Sequence, residues 1–367
     1  MKTFTDLIQE VQEPGLCHQC GACVAFCTAI NYGALELGPD GRPRYANQEK
    51  CIECGICHSI CPVVHELDED AKELVSWTAP MGRVAGSAVA RATNPQVRAQ
   101  ATDGGVITAL LLHLFDRGRI DAAIVSKTVG PFQRRPWLAL SREDIAAAAG
   151  FHFDTLPNIS HFSDFYTTYS ASIAGLGEVA KKPLKRVAFV GTPCQINALR
   201  RMEVLGVVPS EAIRYHFGLF CAGNFQFGPE QRQRLEQMGN FTWPEVQKVN
   251  LKEELLIHLK NGEIRGLPLN QLDFMKRHAC RFCDDYAGEF ADLSFGGIGA
   301  PQGWTTVITR SDLGRSVIDQ AGSDIETFPY RENPTLLSKT LEKVMEWSDK
   351  KKHAAAEYHQ QLERQAV

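Results

Sequence analysis

From residue 81 onward, apolar positions alternate between short buried runs and one-faced helical stripes, the written form of a chain of β-α-β units. Arg83 to Arg91 reads as a strand, and Gly104-Gly105 opens a helix whose Val106, Leu110, Leu111 and Leu114 share one face. Ile120 to Ser126 follows as a short apolar strand. Helical spacing returns through Ile173, Leu176 and Val179. Arg186 to Val190 is a buried strand running directly into Gly191-Thr192-Pro193-Cys194-Gln195, and then comes a helix carrying Ile196, Leu199 and Met202. Ile213 to Cys221 is another strand ending in a cysteine. Leu255 to Leu267 turns at Asn261-Gly262 and reads as a hairpin. After the string Ala291 to Gly297 a strand is expected from Thr305 to Thr309, and Leu337 to Gln365 reads as a charged helix with apolar Leu341, Val344 and Met345. Between 130 and 165 no period holds. There His152, Phe153, His161, Phe162, Phe165 and Tyr166 form an aromatic stretch read first as packing and second as a ligand wall.

Ahead of residue 81 the organising pattern is the spacing of thiols. A short amphipathic helix (Phe4, Leu7, Ile8, Val11) leads into Cys17, Cys20, Cys23 and Cys27, which stand as C-x2-C-x2-C-x3-C. Cys51, Cys54, Cys57 and Cys61 repeat it and end in Pro62. This is the spacing of bacterial ferredoxins with two 4Fe-4S clusters, in which three close thiolates wrap one cube and the fourth reaches across to the other. One cluster is therefore expected on Cys17, Cys20, Cys23 and Cys61, the second on Cys51, Cys54, Cys57 and Cys27. Gly21, Ala22 and Gly55 are small enough to let backbone N–H groups turn toward cluster sulfur. Zinc prefers its ligands in two pairs and fits this pattern poorly. Disulfides fit no better, because the chain begins with a polar, amphipathic stretch rather than a secretory leader, and the reading places it in the cytoplasm. One departure is Thr28, which follows Cys27 where the motif has Pro. Ala34 to Gly41 suggests a small hairpin between the runs, and the acidic patch Glu66 to Glu73 reads as a solvated linker.

Length and composition bound the rest. The chain has 367 residues, enough for two or three domains, with 44% hydrophobic and 22% charged residues and a formal charge of -4. No apolar run reaches the roughly 20 residues that span a bilayer, and no basic stripe interleaved with aromatics argues for nucleic acid. Of 12 cysteines, four remain: Cys194, Cys221, Cys280 and Cys283. Two follow strand ends and two form a C-x2-C pair. On spacing alone they suit a third cluster, a zinc ion or plain buried thiols. The histidines have no ligand spacing. Lys276, Arg277 and Arg281 flank the C-x2-C pair and read either as charges that stabilise a reduced, negatively charged cluster or flavin or as solvated side chains; the solvated reading is preferred for Lys276, and both stay open for Arg281.

The strings Gly-Thr-Pro-Cys-Gln (191 to 195), Gly-Leu-Phe-Cys (218 to 221), Cys-x-x-Cys-Asp-Asp (280 to 285), Ala-Asp-Leu-Ser-Phe-Gly (291 to 296) and Gly-Trp-Thr-Thr-Val (303 to 307) resemble the β subunits of coenzyme F420-reducing hydrogenase and formate dehydrogenase. That family includes F420H2 dehydrogenase input subunits and a plant 7-hydroxymethyl chlorophyll a reductase. Thr102-Asp103-Gly104-Gly105 resembles its Ser-Ser-Gly-Gly motif. The likeness runs from about Met81 to Ile325, with the ferredoxin unit a common addition in front. It implies FAD beside a 4Fe-4S cluster on Cys194, Cys221, Cys280 and Cys283. Cofactor contacts are expected at Thr102, Asp103, Gly104, Gly105, Gly191, Thr192, Pro193, Gln195, Asp285 and Gly296, the Gly104-Gly105 helix start suiting a diphosphate. Two positions depart from the family: Asp103 stands where Ser is usual, and Gly297 where an acid is usual.

The expected architecture is α+β: a two-cluster ferredoxin domain at 1–75, a mixed α/β flavin-binding domain at 81–335, and a C-terminal helical extension at 336–367. Flavin exchanges hydride as well as single electrons, so three 4Fe-4S clusters joined to FAD read as an oxidoreductase passing electrons between coenzyme F420 and a partner. Expected partners are larger redox subunits of hydrogenase, formate dehydrogenase or heterodisulfide reductase type, or a soluble ferredoxin. Alternatives are a related reductase using NAD(P)H or another organic substrate, and a pure electron relay.

Overall fold

The computed structural model describes residues 2–30, 32–130, 133–150 and 172–365. Strands β1 (Leu35–Leu37) and β2 (Pro43–Tyr45) form the small antiparallel hairpin between the two cysteine runs. Most other strands join one sheet: β3 (Gly86–Ala92), β4 (Ala122–Gly130), β5 (Gln133–Ala139), β6 (Val187–Gly191) and β7 (Ile213–Leu219) belong to it. Strands β8 (Val246–Leu251), β9 (Glu254–Leu259) and β10 (Ile264–Pro268) make a separate three-stranded antiparallel sheet. Then β11 (Leu293–Gly296), β12 (Thr305–Thr309) and β13 (Ile325–Thr327) complete the large sheet in the order β13-β3-β12-β11-β7-β6-β4-β5. Its middle, β11-β7-β6-β4, is parallel, and its flanks are antiparallel.

The sheet is covered on both faces, and its sequence shows why. Ala123 and Val125 of β4 pack with Leu110, Leu114 and Val317, whereas Ala122 and Ile124 pack with Ile196, Leu199 and Met202. Each strand alternates faces, so a strand buried on both sides reads as a continuous apolar run. Helices Val106–Asp116 and Asp312–Ala321 cover the first face. The second is covered by helix Pro193–Val204 and, beyond it, by the thiol-rich unit itself, whose Ala22, Ala25, Phe26 and Ile60 share that core. The N-terminal unit is thus packed into the sheet layer.

Two expectations change here. The acidic patch at 66–73 is no linker: helix Asp68–Leu74 buries Ala71 and pairs Asp68 with the guanidinium of Arg201. Strands β5, β8 and β13 and helix Pro229–Gly239 carry no clear apolar signal, and the periodicity does not announce them. β5 and β13 are sheet edges, where Pro136 and charged residues are tolerated because one side needs no ladder partner. The aromatic residues expected between 152 and 166 lie outside the described residues. Among the described residues no helix is long and apolar enough to cross a membrane.

Candidate functional site

The four parallel strands deliver their carboxyl ends to one edge, where open α/β sheets collect ligands. A cleft enclosing about 1250 Å³, open solvent included, lies there. Its wall carries Val190, one residue before the end of β6, Leu219 and Phe220 at and just past the end of β7, and Phe295 to Gly297 around the end of β11. The helix start Gly105, Val106 and Ile107 forms another wall, and no side chain caps that helix. Its first N–H groups and the positive end of its dipole therefore face the cleft, as an anionic ligand requires. The small sheet closes over the loop before it: Lys248 Nζ donates to Thr102 O at 2.8 Å, and Asn250 Nδ2 donates to Asp103 Oδ1 at 3.4 Å.

Of the expected cofactor contacts, Thr102, Asp103, Gly105 and Gly296 line the cleft. Gly296 is bare because the Phe220 ring lies where its Cβ would be, 2.1 Å from the nearest ring carbon. The other six are not among its lining residues and make the following contacts. Gly104 gives its N–H to Thr305 Oγ1 at 3.0 Å, and a Cβ there would meet Ala90 O at 2.7 Å, so the close approach of the two backbones requires a glycine. Gly191 stands against the Phe189 ring, and Pro193 opens the following helix. Gln195 braces the turn, its Nε2 donating to Thr192 Oγ1 at 3.1 Å and its Oε1 accepting from Ile173 N–H at 2.9 Å. Asp285 accepts from the N–H groups of Gly288 (2.7 Å) and Glu289 (2.9 Å), fixing the turn that presents Tyr286 to the cleft.

The thiols fall into three neighbourhoods. Cys57 lies within electrostatic reach of Cys54, Cys51 and Cys27, and Cys61 within reach of Cys17. Cys23 senses Cys20, Cys17 and Cys61, and more weakly Cys57. Cys61 thus lies within electrostatic reach of the first run and Cys27 within reach of the second. In the sheet, Cys221 senses Cys280 and Cys194, and Cys283 senses Cys194. Cys20 and Cys194 interact in turn, so the third neighbourhood abuts the first.

The donor set suits iron-sulfur clusters. Burial pushes the thiol of Cys57 up to about 12 and those of Cys61 and Cys221 up to about 11, so thiolates there need compensating positive charge. Backbone N–H groups already aim at sulfur: Gln19 at Cys17 and Asn224 at Cys280, each 3.4 Å away. Among the described residues no three His, Cys, Asp or Glu side chains converge as a single ion requires, whereas a cube spreads its four ligands more widely.

Cations that sequence reasoning leaves unassigned tie these parts together. Arg277 Nη1 donates to His18 O at 2.8 Å, and Arg201 Nη1 donates to Cys61 O at 2.9 Å and also to Val64 O. Lys276, expected to be solvated, is half-buried and sensed by Cys280 and Cys221. Arg281 turns away instead, donating to Asp273 O at 2.9 Å. Deeper in the sheet, Asp292 accepts from His216 N–H (2.9 Å), Ser311 Oγ (2.7 Å) and Arg200 Nη2 (3.1 Å), binding helix Pro193–Val204 to β7 and β11.

A ferredoxin-type unit packed onto a mixed α/β sheet, with a third thiol set beside a cleft, defines an iron-sulfur oxidoreductase. Residues 9–62 match the 4Fe-4S dicluster domain. Residues 87–163 match the N-terminal part of the coenzyme F420 hydrogenase/dehydrogenase β subunit, and residues 184–332 its C terminus. The chain belongs to that family. It is 29% identical to an uncharacterised protein of Methanocaldococcus jannaschii, over 96% of this chain and 98% of that one. It is 27% identical to a component of the F420H2 dehydrogenase of Methanosarcina mazei, over 97% and 94%. The β subunit of Methanosarcina barkeri coenzyme F420 hydrogenase is 28% identical over 69% of this chain and 84% of its own. A chain in the structure of the F420-reducing [NiFe] hydrogenase complex of Methanosarcina barkeri superposes with a TM-score of 0.66 at 26% identity, covering 78% of this chain and 94% of that one.

Proposed function

We propose that this chain is the subunit through which an F420-linked redox complex exchanges electrons with coenzyme F420. FAD occupies the cleft, and 4Fe-4S clusters occupy the thiol sets Cys194/Cys221/Cys280/Cys283, Cys17/Cys20/Cys23/Cys61 and Cys51/Cys54/Cys57/Cys27. When bound, flavin supplies the exchange between a hydride and single electrons, and the clusters supply the one-electron relay. The chain's own residues supply the rest. The helix start after Gly105 receives the diphosphate, Phe220 and Tyr286 keep water from the inner wall, and the buried sulfurs with their N–H donors set potential.

The observation that carries the reading is continuity. Phe220 and Ala222 line the cleft on either side of Cys221, and Cys194 of the same set interacts with Cys20 of the next. Electrons leave at the Cys51 end, where Ile52 is exposed, toward a larger redox subunit or a soluble ferredoxin. The test is anaerobic reconstitution followed by iron and flavin analysis and titration with reduced F420 or NADH. About 12 iron and one FAD per chain are expected, with flavin bleaching by reduced F420. Bleaching by NADH alone would move the substrate to a nicotinamide, and a chain with full iron and no flavin would be a relay only.

A further inference from the structure

The family match ends at residue 332, and the helix Leu336–Gln365 returns to the thiols of the large sheet. Lys351, in its middle, is buried. Its Nζ donates to Cys221 O and to Asp285 O, each at 2.7 Å. Those carbonyls belong to one thiol residue and to a residue two positions beyond another, Cys283. The Asp285 carboxylate is turned toward the N–H groups of Gly288 and Glu289, and among the described residues no carboxylate forms an ion pair with Lys351. The next residue, Lys352, is matched conventionally, with Glu289 Oε1 at 2.7 Å.

A buried ammonium held only by neutral carbonyls is unfavourable unless negative charge lies close by. The nearest candidates are the sulfurs of Cys283, Cys221 and Cys280, which act on Lys351 ahead of Asp285. A cube with four thiolates is anionic when oxidised and more so when reduced. A fixed cation at its edge therefore favours the reduced form. Half-buried Lys276 brings a second positive charge within electrostatic reach of Cys280 and Cys221.

We propose that Lys351 of the C-terminal helix is the positioning charge that raises the reduction potential of the cluster on Cys194, Cys221, Cys280 and Cys283. This rests on the reading above that those four thiols hold a cluster. The step it biases is a one-electron reduction: an electron from reduced flavin enters the cluster, and no bond in the chain forms or breaks. The helix thereby acts as an electrostatic part of the relay as well as a cover.

The test uses the full chain in its holo form, with the three cluster midpoints read by redox titration followed by electron paramagnetic resonance. Lys351→Gln keeps donors for both carbonyls and removes the charge, Lys351→Arg keeps the charge, and Lys352→Met controls for docking of the helix. With Lys351→Gln, one midpoint is expected to fall by at least tenfold in the reduction equilibrium, about 59 mV for one electron. The other two should stay in place, and Lys351→Arg and Lys352→Met should resemble the parent. An unmoved midpoint in Lys351→Gln overturns the proposal. So does loss of that cluster alone, because Lys351 would then be a structural requirement. A parent protein with only about eight iron would instead refute the cluster assignment itself, whatever Lys351 does.

Discussion

A Cβ placed on Gly297 would lie 2.6 Å from Asp103 Oδ2. The two positions read in the sequence as departures from the family motif are therefore one arrangement: the bare residue just after β11 leaves room for the carboxylate that the loop before helix Val106–Asp116 carries into the cleft. Lys252 Nζ at 3.5 Å and Asn250 Nδ2 at 3.4 Å hold the other carboxylate oxygen, so its charge is partly met from β8 and the turn after it. The FAD diphosphate proposed for the neighbouring helix start would therefore meet a carboxylate whose charge is already shared.

Gly297→Asp should consequently crowd Asp103 and set two carboxylates against each other. Expected is a loss of about 1–3 kcal/mol of stability and a fall in bound flavin. Asp103→Ser/Gly297→Asp should recover most of both, because the acid then stands on one side only. Flavin absorbance per chain and thermal melting read the result, and equal damage in the single and double variants would refute the coupling.

The crossed ligation proposed for the N-terminal thiols makes a counterintuitive prediction. Cys27→Ser, although in the first run, should abolish the same paramagnetic signal as Cys51→Ser and remove about four iron. Cys61→Ser should instead match Cys17→Ser. Loss by run rather than by crossed set would contradict the grouping of Cys57 with Cys27.

Arg201 joins the thiol-rich unit to the sheet through Cys61 O, Val64 O and Asp68. Arg201→Ala leaves Val64 O without its donor and Cys61 O with only the Val64 N–H at 3.1 Å, and removes the cation facing Asp68; it should cost about 2–4 kcal/mol. Urea denaturation should show it, together with earlier proteolytic cleavage between residues 62 and 80. A change below about 0.5 kcal/mol, the ordinary surface range, would mean that the shared apolar core alone holds the units together.

Glu289 supplies a pH test away from the thiols. Burial and then the Asp285 charge push its carboxyl up to about 7, against opposing help from Lys352 and Trp77. A carboxyl with a raised folded value stabilises fully below its unfolded value and loses that contribution as pH rises through about 7. Relative to the parent, Glu289→Gln should therefore gain on the order of 2 kcal/mol between pH 5 and 8, whatever its constant offset. Parallel stability curves across that range would refute the shift.

How much of the molecule is legible in its sequence depends on how local the signal is. The eight N-terminal thiols are legible because their motif is contained in about ten residues per run, and the strand-turn-helix around Cys194 because burial on both faces writes a continuous apolar stretch. The cleft is half legible. Thr102, Asp103, Gly105 and Gly296 line it, but Gln195 and Asp285 are spent on backbone N–H and hydroxyl partners visible only in three dimensions. Lys351 is hidden outright. In Lys350-Lys351-Lys352 three adjacent cations look alike, and only the helical rotation of about 100° per residue turns the middle one inward.

The bonds from Arg277 to His18 O and from Arg201 to Cys61 O clamp the main chain of the cysteine runs themselves. Separation between the outer and inner sulfur sets is then a constant of the folded chain, with no swinging arm to wait for. Traffic through the interior should proceed at a pace indifferent to solvent viscosity, and any sensitivity to glycerol would belong to molecules arriving at the cleft or departing from the Cys51 rim.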